Sequence, residues 1–216
     1  MKLKKVLLIV LSLSFLTTSG ANEYSALGKH INPVMYAGKG KFCSSSMIKY
    51  KGNVYAVTNR HCCAVTQPNV PDDYKIIGDS TLKVLFVSET SDHCIINTDL
   101  KRGLDLAYRP PKPYDATFVI GYPKGYPQTL RLGHFQYMQD VCIDYSKDYF
   151  FPDVRCVSSY VNSVIIRGGN SGSPLFNSRG YVIGIIYGAS DIDSISTTLS
   201  QLKNALEEAH NVKSKR

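Results

Sequence analysis

Several features that would direct the reading elsewhere are missing from this 216-residue chain. After its first residues no run is apolar enough to span a bilayer, which excludes an embedded mature chain. No segment is of low complexity and no solenoid-type repeat is present, which excludes stacked-repeat architectures. The chain is basic, yet it has no basic helix and no aromatic-and-arginine motif, so no nucleic-acid partner is expected. None of its cysteines has C-x-x-C spacing, which argues against a zinc site and leaves no metal or other cofactor expected. Helical periodicity is scarce and confined to the C-terminal end.

What is present begins with a signal-like N-terminus. Lys2, Lys4 and Lys5 precede a short apolar run, Val6 to Leu16, and Ser19-Gly20-Ala21 has the small-x-small form of a cleavage site. Residues 1–21 are therefore read as a signal peptide, and the mature protein as secreted or periplasmic with no membrane contact. The formal charge is +8, of which those three lysines supply three, leaving +5 after cleavage. Part of that sits in a basic tail, Lys213, Lys215 and Arg216, read as a solvated end. Six cysteines in an exported chain predict disulfides: Cys43, Cys62, Cys63, Cys94, Cys142 and Cys156. Spacing alone does not choose among their pairings.

Short runs rich in Val, Ile, Tyr and Phe recur between turn signals. Lys41–Lys49, Val54–Thr58, Tyr74–Ile77, Leu82–Val87, Ala116–Ile120, Gln128–Tyr137, Val154–Ile166 and Tyr181–Tyr187 are predicted strands. Leu199, Leu202, Ala205, Leu206 and Ala209 fall at three- and four-residue steps and predict one amphipathic helix, capped by Thr197 or Thr198. The pattern is that of an all-β barrel or sandwich with a packed final helix. The proline-dense stretch from Tyr108 to Pro113 reads as a connector between halves. Residues 22–110 and 111–195 are then two barrels, followed by a C-terminal helix and tail at 196–216.

Gly168-Gly169-Asn170-Ser171-Gly172-Ser173-Pro174 sets one serine among glycines just before an apolar run. Such a loop can turn backbone N–H groups toward one point and leave a hydroxyl exposed, although it is also ordinary turn composition. A serine nucleophile needs a base in contact and a group that orients the base. Of the five histidines only His61 ends an apolar strand-like run and adjoins a cysteine. For the acid, Asp105 has apolar flanks in Leu104 and Leu106-Ala107; Asp92 and Asp99 are its rivals.

Thr58-Asn59-Arg60-His61-Cys62 resembles the Thr-Ala-Ala-His-Cys segment of trypsin-like (chymotrypsin-fold) serine proteases. Phe42-Cys43-Ser44-Ser45-Ser46-Met47-Ile48 is similar to their Phe-Cys-Gly-Gly-Ser-Leu-Ile strand, and Leu104-Asp105-Leu106-Ala107 to their Asp-Ile/Leu-Ala-Leu segment. Gly169-Asn170-Ser171-Gly172-Ser173-Pro174 resembles Gly-Asp/Asn-Ser-Gly-Gly-Pro, and Gly184-Ile185-Ile186-Tyr187-Gly188 resembles the strand lining the substrate pocket. Asn170 and Gly121-Tyr122-Pro123-Lys124-Gly125 are closer to bacterial trypsin-like and HtrA-type proteases. The sequence after the terminal helix leaves no room for their PDZ domain, and Asn170 cannot form the ion pair of the digestive enzymes' aspartate-dependent activation, which argues against that switch.

The resemblance implies two packed antiparallel β-barrels and a serine endopeptidase acting as a monomer on protein or peptide substrates. It assigns Ser171 as nucleophile, His61 as base, Asp105 as orienting acid, and the Gly169 and Ser171 N–H groups as oxyanion donors. Ile165, Ile186, Tyr187 and Gly188 fall at the substrate pocket. Ile165, six residues before the serine, stands at a pocket floor that is acidic in trypsin, which implies a preference for apolar or small side chains. The resemblance also implies a Cys43–Cys62 bridge. Cys142 and Cys156 flank the turn-rich stretch Asp144–Asp153 and fit a hairpin staple, which leaves Cys63 with Cys94 by elimination, with adjacent Cys62 and Cys63 able to exchange partners. Two alternatives are a catalytically silent relative that binds a partner in the same cleft, and a metal- or surface-binding module.

Overall fold

A computed structural model describes residues 23–36, 40–64, 73–144 and 154–215. The expected signal segment (1–21), Arg216 and residues 145–153, between Cys142 and Cys156, lie outside them. Two closed antiparallel barrels of six strands each account for the fold.

The first barrel contains β1 (Ile31–Tyr36), β2 (Gly40–Tyr50), β3 (Asn53–Thr58), β4 (Tyr74–Ile77), β5 (Ser80–Val87) and β6 (Cys94–Asn97), in the spatial order β1-β2-β3-β6-β5-β4. Val34 pairs with Ile77 and closes it. The second contains β7 (Ala116–Gly121), β8 (Thr129–Asp144), β9 (Val154–Asn162), β10 (Pro174–Asn177), β11 (Val182–Ala189) and β12 (Ser194–Thr197), in the order β10-β11-β12-β9-β8-β7. Closure leaves no open sheet edge in either barrel. A short helix α1 (Arg60–Ala64) follows β3, and α2 (Leu199–Ser214) ends the chain.

Four strands escaped the sequence pattern: β1, β6, β10 and β12. None exceeds six residues, β1 is interrupted by Asn32-Pro33, and three of the four residues of β12 are polar. β12 also carries the second barrel to Thr197, past the boundary expected at residue 195. β9 stops at Asn162, so residues 163–166 are not strand.

The barrels share a core. Ile48, Tyr55, Val57 and Ile95 from the first pack with Phe118, Phe176, Val182 and Ile185 from the second. Phe118 and Phe176 stack with centroids 4.7 Å apart. Leu202, Ala205, Leu206 and Ala209 of α2 complete the cluster, which is the face the sequence periodicity marked. Thr198 caps α2 in a capping box: its Oγ1 accepts from the Gln201 N–H, and Gln201 Oε1 accepts from the Thr198 N–H.

The connector is fastened to both barrels before it reaches the prolines. Leu104 exchanges backbone bonds with Met47 and Lys49 of β2, while the Asp105 carbonyl and the Ala107 N–H bond Val182 of β11. Leu104 and Ala107 are buried there.

Candidate active site

His61 sits in α1 at the end of β3, whose Val54–Thr58 are all buried. Two disulfides lock this corner. Cys43 of β2 joins Cys62, and Cys63 joins Cys94 of β6. The third, Cys142–Cys156, staples the β8–β9 hairpin across directly paired residues. Cys43, His61 and Cys62 form a compact group of potential ligand atoms. Both sulfurs belong to the disulfide, however, so neither is the thiolate a metal would require.

The carboxylate that meets His61 is Asp92. Its Oδ2 lies 2.7 Å from His61 Nδ1, and its Oδ1 accepts from the His61 backbone N–H at 3.2 Å. One carboxylate thus fixes both the ring and the backbone of the histidine. The Asp92 side chain is 1% exposed and the His61 side chain 38%. Asn59 Nδ2 donates to the Asp92 carbonyl at 2.9 Å, so the aspartate is itself held.

Asp105 is not brought to His61, which corrects the sequence assignment. Its side chain is 58% exposed and forms an ion pair with Lys49 at 2.9 Å. The reason is geometric. In extended backbone successive side chains point to opposite sides, so a residue between buried Leu104 and half-buried Leu106 is turned outward. The clue to Asp92 lay in the cysteines: Asp92 is two residues before Cys94 and His61 two before Cys63, and those cysteines are joined.

Behind Asp92, His93 is fully buried between the barrels. Its Nδ1 lies 2.8 Å from Ser91 Oγ and its Nε2 2.9 Å from Thr197 Oγ1 on β12. Ser91 Oγ donates to Ser88 Oγ, so it accepts from a neutral His93 protonated on Nδ1. Burial pushes the His93 pKa down to about 4, only partly opposed by the Asp92 charge.

The serine loop is bound to β2. The Ser44 N–H donates to the Ser171 carbonyl at 2.7 Å, and Ser46 Oγ donates to the Gly172 carbonyl at 2.9 Å. Cys43-Ser44 therefore ties the two candidates together, with Ser171 bonded to Ser44 and His61 next to the cysteine bridged to Cys43. Gly172 has φ +88°, and a Cβ there would lie 1.8 Å from the Ser44 carbonyl oxygen. Gly169 has φ +94°, and a Cβ there would lie 2.5 Å from the Tyr122 carbonyl oxygen. Both positions need glycine on two counts.

Among the described residues neither the Gly169 nor the Ser171 N–H donates a hydrogen bond. Asn170 is buried, and its carboxamide and backbone N–H both donate to the Arg167 carbonyl, at 3.2 and 3.1 Å. Asparagine here closes its own loop.

The pocket residues separate into two groups. Ile186 and Tyr187 of β11 are buried, with Gly188 half-buried beside them. Tyr187 Oη hydrogen-bonds Ser159 Oγ of β9, and burial raises its pKa to about 12. Ile165 is 62% exposed, so it is not a covered pocket floor. The six-residue count lands in the coil that follows the early end of β9. An apolar preference drawn from Ile165 loses its basis.

The trypsin-like peptidase domain matches residues 42–185, more than half of the chain, and the chain belongs to that family. A search of curated protein sequences finds no match. Among solved structures it is similar to the active form of the Rv3671c protease from M. tuberculosis, at 19% identity and TM-score 0.68, covering 86% of this chain and 83% of that one. It is also similar to the MamO protease domain from Magnetospirillum magneticum, at 14% identity and TM-score 0.65, covering 84% and 97%. The HtrA-type protease AlgW with a tripeptide matches at 20% identity and TM-score 0.63, covering 87% of this chain and 61% of that one. The family and the paired barrels make this a serine endopeptidase of the trypsin-like class.

Proposed function

We propose that the chain is an exported endopeptidase that hydrolyses peptide bonds through Ser171, His61 and Asp92 and a covalent acyl-enzyme. The observation that carries this reading is the Asp92–His61 contact in the corner that also holds the Ser171 loop. Asp92 accepts from Nδ1–H and leaves Nε2 as the basic nitrogen. Nε2 takes the proton from Ser171 Oγ as that oxygen attacks the scissile carbonyl carbon. The carbonyl oxygen becomes an oxyanion and accepts from the Gly169 and Ser171 N–H groups, each worth on the order of 3 kcal/mol in such sites. Collapse breaks the C–N bond, and the imidazolium gives its proton to the leaving amine. Water then attacks the acyl-enzyme, with His61 again taking a proton, and frees the acid and Ser171.

Three disulfides support an oxidising destination, whether secreted or periplasmic. Among the described residues no helix is long and apolar enough to cross a membrane. The substrate is a protein or peptide, and the enzyme acts as a monomer.

The test is hydrolysis of an unstructured protein or a peptide library by wild type and Ser171→Ala. The variant is expected to keep its melting temperature within a few degrees and to lose roughly 10⁴-fold or more in kcat. Comparable hydrolysis by the pure variant refutes the assignment.

A further inference from the structure

We propose that Ser44 is a positioning residue for oxyanion stabilisation: its hydroxyl clips the nucleophile loop to the 122–125 turn and so sets the direction of the Gly169 N–H. The proposal rests on the triad reading above.

Ser44 is fully buried and both sides of its hydroxyl are engaged. Oγ accepts from the Tyr122 N–H at 3.0 Å and donates to the Gly169 carbonyl at 2.9 Å. The Ser44 backbone is held as well, since its N–H donates to the Ser171 carbonyl and its carbonyl accepts from Thr58 Oγ1 at 2.8 Å. One residue thus grips the loop on both sides of Asn170.

The consequence lies in the peptide planes around Gly169. The Gly168 carbonyl accepts from the Lys124 N–H. In a trans peptide C=O and N–H point in opposite directions, so the Gly169 N–H is turned away from the turn. The next plane is fixed at both ends, its carbonyl by Ser44 Oγ and its Asn170 N–H by the Arg167 carbonyl. Lys124, which supplies the bond to Gly168, sits at φ +50°, an unfavourable conformation for a residue with a side chain. Ser44 holds the backbone end of this turn through the Tyr122 N–H, while the Tyr122 hydroxyl is anchored separately to the Ile31 carbonyl. Without the hydroxyl, the Tyr122 N–H and the Gly169 carbonyl lose this shared partner. The 168–169 plane can then rotate and withdraw its donor from the oxyanion.

The full mature chain and its Ser44→Ala variant are compared on a peptide amide that the wild type cleaves, below the melting temperature of both. Binding of the matching peptide boronic acid is measured beside it, because its tetrahedral boronate places an oxygen where the oxyanion forms. Removing the clip is expected to lower kcat about 10- to 100-fold and boronate affinity in parallel, with KM within about 3-fold. The midpoint of the pH–kcat/KM profile should not move, because the His61–Asp92 contact is untouched. An unchanged kcat, or a fall in kcat without loss of boronate affinity, overturns the proposal. If the variant does not fold, amide hydrogen exchange of wild type decides: a slowly exchanging Tyr122 amide supports the clip, and one exchanging at the rate of an exposed amide refutes it. A wild-type protein with no hydrolysis at all would instead refute the triad reading.

Discussion

Asp92 and Asp105 show what separates a carboxylate placed to orient His61 from a surface one in this chain. Asp92 is enclosed, supported by Asn59 and aimed at His61, whereas Asp105 lies in solvent against Lys49. Removing a negative charge from each should give very different results. Asp92→Asn leaves the shape of the site but offers an amide to Nδ1, which favours the wrong tautomer, and is expected to cut kcat by roughly 10³- to 10⁴-fold. Asp105→Asn breaks an exposed ion pair and should leave kcat within about 2-fold. Side-by-side kinetics of the two variants check this, and a larger loss from Asp105→Asn would restore the sequence assignment. The proposed glycine, serine and histidine are legible in the sequence because Gly169, Ser171 and His61 sit in short contiguous motifs. The proposed acid is not, because Asp92 lies in a loop tied to His61's corner by the distant Cys63–Cys94 bridge. Ser44 escaped for a similar reason, since its partners Tyr122 and Gly169 are remote in sequence.

Among the elements, the loop from Ser88 to His93 carries Asp92, the proposed acid. It is closed by Ser88 Oγ, which accepts from Thr90, Ser91 and the Ser91 hydroxyl, and it is anchored to β12 through His93 and Thr197. His93 is neutral in the fold, with its pKa about 4 against the usual 6.5. The unfolded chain takes up that proton near pH 6.5 and the folded chain only near pH 4. The contribution of His93 to stability is therefore complete above about pH 6.5, is lost as pH falls toward 4, and levels off below, a change on the order of 3 kcal/mol. Melting curves from pH 7 to 4 should show wild type losing more stability than His93→Gln, and parallel curves would contradict it. Thr197 could be read in sequence as a cap for α2, but it serves β12 and His93, while Thr198 caps the helix. Both threonines suit a cap by type, and only the strand pairing of Thr197 with Ser159 decides between them. The β11 strand and α2 were read correctly because their apolar patterns follow the burial they adopt.

On the scale of the molecule, each barrel contributes part of the proposed site and neither holds it all. His61, Asp92 and Ser44 come from the first, Ser171 and the Gly169 donor from the second, and the common core of Ile48, Tyr55, Phe118, Phe176 and α2 keeps them in register. Leu104 and Ala107 add backbone bonds from the connector to both. The two-part architecture was legible because the proline-dense connector divides two sets of strand patterns. The exposed position of Ile165 was not, because it follows from where β9 ends. The central claim is that Ser171 is a nucleophile activated by His61. It is tested most directly by treating the purified mature protein with a fluorophosphonate probe and mapping the modified residue by mass spectrometry. Stoichiometric labelling at Ser171, lost in His61→Ala, is the predicted result. No labelling of the folded protein, or labelling at a different serine, would contradict the account.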